Sequence, residues 1–523
     1  MGWMFPASFG ANSPEMPAWV VRYTLGRMEA FVVPEIEWSV MLPFITVVAT
    51  ALAVLIAEMF LPRERHTPLV LLGLIGIGIA GYFQLVNWQV NLTTFAGTVR
   101  ADSLGAILNL AVLGATALTL LLSDDYLRAR QIRYGEFYPL LLFATSGAML
   151  MVSSTNLMVV FLGLEVMSLA LYVMAGLART EVRSEESALK YFLLGAFASA
   201  FFLYGIALMY GAQGTVDLQQ VLANLAQFEE SGFSRLLTVA SLAMMAVGLG
   251  FKASLVPFHM WTPDVYQGAP TIATTYMSAV AKVAAFAVLI RVVFNTLPFM
   301  ELWMPVLWAL SALSMGVGNL MALVQRDAKR MLAYSSVAHA GYLAVGLVSA
   351  NQTGLTGMLF YLFAYSLMTV GAFGVLTLMA RAGDATTISA LSGLYRRQPF
   401  VAHMMAILLL SLAGIPPTAG FWGKWYLFLS ALEANHVWLA VILGLTSVVG
   451  AAYYLRLAFS LYAEPRETPV VPWRVPVPMV VCLLVCALGL ILLGVRPAYL
   501  AEPSAQASKQ VQIVRPTNLS LQK

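Results

Sequence analysis

Long apolar stretches separated by short polar loops recur along most of this 523-residue chain. An α-helix needs about 20 mostly apolar residues to cross the hydrocarbon core of a membrane, and each stretch is close to that length. The pattern predicts about fourteen transmembrane helices, at 39–61, 68–89, 103–123, 137–153, 155–178, 188–211, 235–257, 272–297, 301–324, 329–350, 353–381, 400–430, 435–463 and 476–495. The predicted fold class is therefore an all-α integral membrane protein.

The composition agrees with this fold class, because 60% of the residues are hydrophobic and only 10% are charged. Soluble domains contain about 25% charged residues. The loops are too short to hold a folded soluble domain, which needs upwards of about 50 residues. The chain must therefore perform its function within the membrane.

Arginine and lysine are concentrated in every second loop. The odd-numbered loops hold Arg63, Arg65, Arg128, Arg130, Arg133, Arg179, Arg183, Arg326, Lys329, Arg330, Arg381, Arg396, Arg397, Arg456, Arg466 and Arg474. The even-numbered loops hold only Arg100, Arg235 and, at a helix end, Arg291. Since cytoplasmic loops carry the excess of these residues, we expect both termini on the non-cytoplasmic side. The net charge of +4 reflects this topology and does not indicate nucleic-acid binding.

The two ends of the chain differ from the apolar stretches. Residues 1–38 contain Pro6, Pro14, Pro17 and Pro34, too many for a spanning helix, and form an N-terminal extension. The tail after Gly494 is polar, and we expect it to be mobile.

The chain lacks the residues that most cofactors need. Its two cysteines, Cys482 and Cys486, are too few for an iron–sulfur cluster with four thiolates. His339 and His403 lie within predicted helices and could in principle bind a haem, although hydrogen-bonded or proton-relaying imidazoles are the favoured interpretation. Nucleotide-binding loops of the GxGxxG or GxxxxGK[ST] type are not visible in the sequence. We therefore expect no cofactor in this chain.

Five ionisable side chains interrupt the apolar stretches: Glu165, Lys190, Lys252, Lys282 and Lys424. A charged residue at the centre of a membrane helix costs about 2.5 to 3.5 kcal/mol on insertion scales, so such residues usually have a function. Lys190 begins its helix and could instead extend to the surface or form an interfacial ion pair. Lys282 lies about 15 Å inside its helix, which is too deep for a lysine side chain to reach the surface.

These groups have the chemistry of a proton relay. A lysine in a low-dielectric site can exchange its charged and neutral forms when a neighbouring charge moves. Glu165 is the only acid well inside a predicted helix, so we predict that it pairs with Lys252. His259 and Asp264, in the turn "HMWTPDVYQG", are candidates for the mouth of the route, although loop packing explains them equally well.

Prolines predict two broken helices next to these lysines. Pro257 follows Lys252 by five residues, and Pro416 and Pro417 precede Lys424. Non-helical backbone within a membrane occurs where it is buried in protein or lines a water-filled cavity. Two broken helices about five helices apart are typical of inverted repeats in transporters, although ordinary packing kinks are the alternative.

Five segments resemble the antiporter-like, proton-translocating subunits of respiratory complex I, and most closely the NADH-quinone oxidoreductase subunit N, or subunit 2, family. They are "LGLEVMSL", "EESALKYFLLGAFASAFFLYG", "GLGFKASLVPFHMWTPDVYQGAP", "QRDAKRMLAYSSVAHAGY" and "LAGIPPTAGFWGKW". The resemblance implies two inverted five-helix repeats with broken seventh and twelfth helices. It also implies a hydrated relay of Glu165, Lys252, Lys282 and Lys424, with Lys190, His259, Asp264 and His339 as secondary candidates.

The resemblance divides the chain into five parts. They are the extension 1–38, helices one to three at 39–133, the first repeat at 134–298, the second repeat at 299–465, and the last helix with the tail at 466–523. Lys424 distinguishes the chain from the M type of subunit, which usually has glutamate there. The short segment after Gly494 distinguishes it from the L type, which continues into further helices.

The resemblance implies a membrane-arm subunit that translocates protons while partner subunits, carrying flavin, iron–sulfur clusters and quinone, perform the redox chemistry. Its expected location is the plasma membrane or an equivalent energy-coupling membrane. The alternatives are a subunit of a multisubunit Na⁺/H⁺ antiporter, a stand-alone ion-coupled transporter and a structural scaffold. Proteins that co-purify with the chain would distinguish the first three, and a scaffold would tolerate loss of the intramembrane charges.

Overall fold

The computed structural model describes residues 36–62, 66–132, 134–226, 232–381, 386–464 and 474–511. Residues 1–35 of the predicted extension and 512–523 of the predicted tail lie outside the described residues, as do the loop cations Arg63, Arg65, Arg133 and Arg466.

Helices dominate the described chain. They are α1 (Trp38–Phe60), α2 (Thr67–Val86), α3 (Ser103–Ala129), α4 (Phe137–Ser153), α5 (Leu157–Ala175), α6 (Val182–Gln213), α7 (Leu218–Ala226), α8 (Phe233–Ala253), α9 (Trp261–Gly268), α10 (Thr271–Asn295), α11 (Met300–Leu323), α12 (Ala328–Ser349), α13 (Gln352–Ala380), α14 (Ile388–Leu391), α15 (Leu394–Arg397), α16 (Pro399–Ala413), α17 (Ala419–Glu433), α18 (Val437–Tyr462), α19 (Val477–Val495) and α20 (Ala498–Lys509). A single 3₁₀ turn, Leu297–Phe299, precedes α11. Within the described residues, 12 of these helices are long and apolar enough to cross a membrane.

The all-α membrane fold is confirmed, and the helices follow the predicted stretches closely. The predicted helix at 137–153 is α4, with the same bounds, although it is shorter than the 12 helices above. Two other stretches differ in detail. The stretches at 235–257 and 400–430 are both interrupted, since α8 ends at Ala253 and α16 ends at Ala413. Two broken helices are therefore present, whereas the exact count of fourteen and the inverted repeats stay predictions.

The two breaks have the same backbone construction. Ser254 and Gly414 follow their helices in the left-handed conformation, with φ of 62° and 85°. The next residue then donates its amide to a carbonyl five residues back, Leu255 to Gly250 at 2.8 Å and Ile415 to Leu410 at 3.0 Å. This pattern is a Schellman cap, which ends a helix while satisfying its last carbonyls. The helices therefore end before the prolines that were expected to break them, α8 four residues before Pro257 and α16 three residues before Pro416.

The centre of the molecule is formed by α10, α12 and α13. The most apolar 18-residue stretches of α10 and α12 are fully buried, and 89% of the corresponding stretch of α13 is buried. Apolar side chains on α1, α2, α6 and α19 are instead exposed, such as Phe60 at 82% and Phe197 at 66%. These outer faces suit contact with lipid tails or neighbouring subunits, and polar groups on the three central helices are shielded from lipid.

Some elements were not predicted. Strands β1 (Leu92–Thr94) and β2 (Val99–Ala101) form a small antiparallel pair before α3. The expectation of a mobile tail after Gly494 is wrong up to residue 511, because α20 packs back onto the bundle. Its Ser508 hydroxyl forms a 3.1 Å hydrogen bond with that of Thr356. Small buried residues, including Ala507 and Ser504, allow this close packing.

Candidate functional site

Three of the predicted lysines lie inside the protein. The exposed fractions of Lys252, Lys282 and Lys424 are 4%, 2% and 7%. Their ammonium groups cannot reach water at the surface, so each must be stabilised by protein groups or internal water. Each lysine has a different set of partners.

Lys252 lies in the last turn of α8, among hydroxyl groups. Its Nζ atom donates to Ser168 Oγ at 2.8 Å and to Tyr191 Oη at 3.2 Å. The same atom lies 5.3 Å from the centre of the Tyr191 ring and 6.0 Å from that of Tyr172, within range of a cation–π interaction. A cavity of about 10 Å³ adjoins Lys252, Ser168 and Tyr172, which is the size needed for one water molecule.

Glu165 lies one helical turn from the Lys252 site, on the same helix as Ser168. Among the described residues, no ion pair joins Glu165 to Lys252. The Glu165 Oε1 atom is buried without a hydrogen-bond partner in that part of the chain. Leu162 and Leu169, on the same side of α5, are 54% and 55% exposed. The carboxyl group thus lies between the Lys252 site and an outer apolar face of the protein.

Lys282 lies in the middle of α10. Its ammonium group donates to the Ser336 carbonyl of α12 and lies 5.3 Å from the centre of the Tyr365 ring. The hydroxyls of Ser336 and Tyr365 are buried close to each other beside this ammonium group. They give Lys282 polar neighbours in an otherwise apolar part of the bundle.

His339 lies one turn after Ser336 on α12 and connects to two tyrosines. Its Nδ1 atom is 2.7 Å from Tyr361 Oη, and its Nε2 atom is 3.0 Å from Tyr454 Oη. Both ring nitrogens are therefore used in hydrogen bonds, which is compatible with a hydrogen-bonded imidazole and with a proton-relaying one. His403, by contrast, is exposed, and its Nδ1 bonds the Pro399 carbonyl.

Lys424 lies in α17, beyond the second break. Its Nζ atom donates to the carbonyls of Leu412 and Ala413, at 3.1 and 3.0 Å, and lies 4.9 Å from the centre of the Tyr342 ring. These carbonyls belong to the last turn of α16, where the helix dipole favours a positive charge. The break thus supplies the acceptors that hold the ammonium group.

The two lysines at the breaks occupy different positions. Lys252 precedes the left-handed residue Ser254 by two residues, whereas Lys424 follows Gly414 by ten. The position ten residues after Ser254 is occupied by Asp264. The breaks are alike in backbone, but their charged groups differ in position and sign.

A group of ion pairs lies near the first break. Lys190 Nζ is 2.9 Å from Asp264 Oδ2 and 2.6 Å from Glu186 Oε1, and Arg330 Nη1 is 2.8 Å from Asp264 Oδ1. These residues line an open depression of about 250 Å³. The sequence indicated Lys190 and Asp264 separately, and the structure brings them together. Arg330 was expected only as a cation of an odd-numbered loop, and its ion pair with Asp264 was not predicted.

His259 lies within the first break and is half-buried. Its Nδ1 atom has no hydrogen-bond partner in the described part of the chain. It is near the helix carrying Asp264 but is not joined to the ion pairs by any described hydrogen bond.

A buried ion pair lies at the C-terminal end of α10, the end far from the first break. The guanidinium group of Arg291 binds both carboxylate oxygens of Asp102 at 3.0 Å and donates to the Val152 carbonyl at 2.8 Å. Burial raises the pKa of the Asp102 carboxyl, but the charge and hydrogen bonds of Arg291 outweigh it and hold the pKa below its usual value. The pair borders a cavity of about 550 Å³. Since 25 residues of helix span about 37 Å, the two depressions lie on opposite sides of the molecule.

Comparison with known proteins identifies the family. Residues 154–450 match the sequence model of the NADH:quinone oxidoreductase/Mrp antiporter transmembrane family. The chain belongs to this family. The "NADH-quinone oxidoreductase subunit N" of Trichlorobacter lovleyi is 41% identical over 478 residues, covering 91% of this chain and 98% of that protein. The "subunit N 2" of Roseiflexus castenholzii is 40% identical, covering 90% of this chain and 96% of that protein.

Two solved structures share this fold. A chain of respiratory complex I from Thermus thermophilus is 36% identical, with a TM-score of 0.75, covering 88% of this chain and 99% of that one. A chain of the Mrp complex from Dietzia sp. has a TM-score of 0.80 at 20% identity, covering 93% of this chain and 99% of that one. The matched region 154–450 contains Glu165 and all three buried lysines of the site.

Proposed function

We propose that this chain is the N-type subunit in the membrane arm of a proton-pumping NADH-quinone oxidoreductase. It moves protons across the membrane while partner subunits carry out quinone reduction. The observation that carries the proposal is the burial of three lysines within one membrane-embedded bundle, each against groups that can hold its charged form. The similarity to subunits N over about nine tenths of the chain supports the same assignment.

The proposed relay runs through Glu165, Lys252, Lys282, His339 and Lys424. Its central portion is supported by Ser336 and His339, which lie one turn apart on α12, so that the acceptor of Lys282 adjoins the imidazole. Buried lysines are suited to this task because their charge depends on the charges nearby. A change of charge at Glu165 would alter the proton affinity of Lys252, and the change would then pass along the bundle.

The ends of the relay are also proposals. Lys190 and Asp264 adjoin the Lys252 site and line the 250 Å³ depression, which supports a role in proton uptake. His259 lies in the same break and is a further candidate. The arginine excess in the odd-numbered loops supports the cytoplasm as the side of uptake and both termini on the opposite side.

The chain contributes no redox group in this proposal. Flavin, iron–sulfur clusters and quinone belong to partner subunits. The other membrane-arm subunits connect this chain to them. The exposed apolar faces of the outer helices are the surfaces available to such neighbours. The expected location is the plasma membrane or another energy-coupling membrane.

A second candidate function is ion exchange in a multisubunit Na⁺/H⁺ antiporter, which the fold similarity to the Mrp complex chain favours. The two functions differ in their energy source. NADH-driven proton transport that is independent of sodium supports the first, and transport driven by a sodium gradient without NADH supports the second.

Glu165→Gln tests the relay directly. The substitution preserves the shape of the side chain but removes its charge, so the control of Lys252 by Glu165 is lost. We expect NADH-driven proton transport by the purified complex in proteoliposomes to fall about fivefold, close to 1 kcal/mol, at unchanged subunit content. Glu185→Gln, an exposed acid in the first turn of α6, is the matched control and should leave the rate unchanged. A normal rate in Glu165→Gln would remove Glu165 from the relay.

A further inference from the structure

Trp261 makes an unusual set of contacts at the start of α9. It is buried, with 2% of its surface exposed. Its indole Nε1 donates to the Phe251 carbonyl at 2.9 Å. Its ring lies parallel to that of Tyr191, with 4.5 Å between ring centres and 6° between ring planes. One side chain thus contacts both the end of α8 and a residue of α6.

Both contacts of Trp261 are with groups next to Lys252. Tyr191 is the residue whose hydroxyl lies 3.2 Å from the Lys252 ammonium group. The Phe251 carbonyl belongs to the peptide bond that joins Phe251 to Lys252. Trp261 therefore fixes a hydrogen-bond partner of the lysine and the backbone from which the lysine side chain extends.

The helix carrying Trp261 is itself anchored. One turn after Trp261, Asp264 pairs with Lys190, which is the neighbour of Tyr191 in sequence. Asp264 also pairs with Arg330 of α12. The short helix α9 therefore holds two consecutive residues of α6, one by an ion pair and the other by ring stacking.

The second break differs from the first at the position of Trp261. Seven residues after the left-handed residue, the first break has Trp261 and the second has Phe421, which has no N–H group on its ring. At the second break the terminal carbonyls of α16 accept hydrogen bonds from Lys424. At the first break the indole bonds the carbonyl of Phe251, three residues before Ser254, and the Lys252 ammonium donates to hydroxyls of neighbouring helices.

We propose that Trp261 is a positioning residue for Lys252. By bonding the end of α8 and stacking on Tyr191, it holds the Lys252 backbone and the Tyr191 hydroxyl in place, so that the ammonium group stays on Ser168 and Tyr191. This inference rests on the proposed function, since it assigns Trp261 to the lysine of that relay. Trp261 exchanges no proton in this role.

Trp261→Phe is the first test, because phenylalanine can retain the stacking on Tyr191 but cannot donate to the Phe251 carbonyl. We expect NADH-driven proton transport by the purified complex, normalised to assembled complex, to fall three- to fivefold. The matched control is Trp422→Phe, which also loses an indole hydrogen bond to a carbonyl, that of Gly494 at 2.8 Å. The control should stay within twofold of the parent. Equal losses in the two variants, or failure of Trp261→Phe to assemble, would give Trp261 a structural role and overturn the proposal.

Combination with Tyr191→Phe separates positioning from general packing. If Trp261 acts by placing the Tyr191 hydroxyl against Lys252, Trp261→Leu should lower the rate severalfold in the parent but by less than twofold in the Tyr191→Phe background. Losses that multiply would contradict the proposal. If Lys252→Met and Tyr191→Phe both transport at the normal rate, the proposed relay fails. If they impair transport and Trp261→Phe does not, only the positioning role fails.

Discussion

Complexes that carry Lys282→Met should assemble at the normal level yet lose at least about tenfold in NADH-driven proton transport, which corresponds to about 1.4 kcal/mol. Lys282 is 2% exposed and donates to the Ser336 carbonyl. Methionine has a similar length and no charge, so it removes the desolvation cost of the ammonium group without leaving a large cavity. What is lost is a group that can gain and release a proton in the middle of the bundle.

Two further variants make the Lys282 result specific. Lys282→Arg should not restore transport, because a guanidinium group stays protonated and cannot relay a proton. Lys329 is also a buried lysine that donates to a backbone carbonyl, that of Ala269 at 2.8 Å, but it lies at the start of α12. Lys329→Met should therefore affect the amount of complex more than the rate per complex. Transport at the normal rate in Lys282→Met would make Lys282 a bystander.

The positions of the helices could be predicted from the sequence because membrane helices are long, continuous and apolar. The helix predicted at 137–153, for example, has the same bounds in the structure. The ends of the two broken helices were predicted less accurately, because proline was taken as the cause of each break. Gly414 is a recognisable helix-end residue, but nothing in the sequence marks Ser254 as left-handed. In both cases capping by the preceding turn ends the helix before the proline is reached.

The buried charges could also be found from the sequence, but most of their partners could not. Lys252 was expected beside Glu165, whereas the structure places Ser168 and Tyr191 against its ammonium group. The hydrogen bond of His339 with Tyr454 joins residues 115 positions apart. Such contacts depend on how distant helices pack, and a single sequence contains no local signal for them. Tyrosine and serine are also common in membrane helices without any special role.

Arg291→Met should give the largest loss of stability, about 3 to 5 kcal/mol, because it leaves the buried Asp102 carboxylate without its counterion. Asp102 is 8% exposed, and its Oδ1 also accepts the Gly105 amide at 2.7 Å, which caps the start of α3. The pair joins the start of α3 to the end of α10. We expect less subunit in the membrane and a lower thermal midpoint for the detergent-solubilised complex.

The loss of stability in Arg291→Met should depend on pH in a defined direction. In the parent, Arg291 holds the pKa of Asp102 below its unfolded value of about 3.9, so the pair stabilises the fold above that pH and loses its contribution as the pH falls through the lowered pKa. In Arg291→Met, burial, the largest single influence on the pKa of Asp102, is opposed only by the Gly105 amide and the more exposed Arg100, so we expect the pKa to rise and the ionised carboxylate to destabilise the fold at neutral pH. The difference in thermal midpoint between parent and variant should therefore shrink as the pH falls through this raised pKa.

Two controls assign the loss to the unpaired charge. Arg100 lies 3.9 Å from Asp102 and is more exposed, so Arg100→Met should cost no more than about 1 kcal/mol. Removing both charges with Asp102→Asn and Arg291→Met should recover part of the stability lost in Arg291→Met, because no uncompensated charge then remains buried. A double variant less stable than Arg291→Met, or a difference that does not change with pH, would show that Arg291 acts through packing and its bond to the Val152 carbonyl instead.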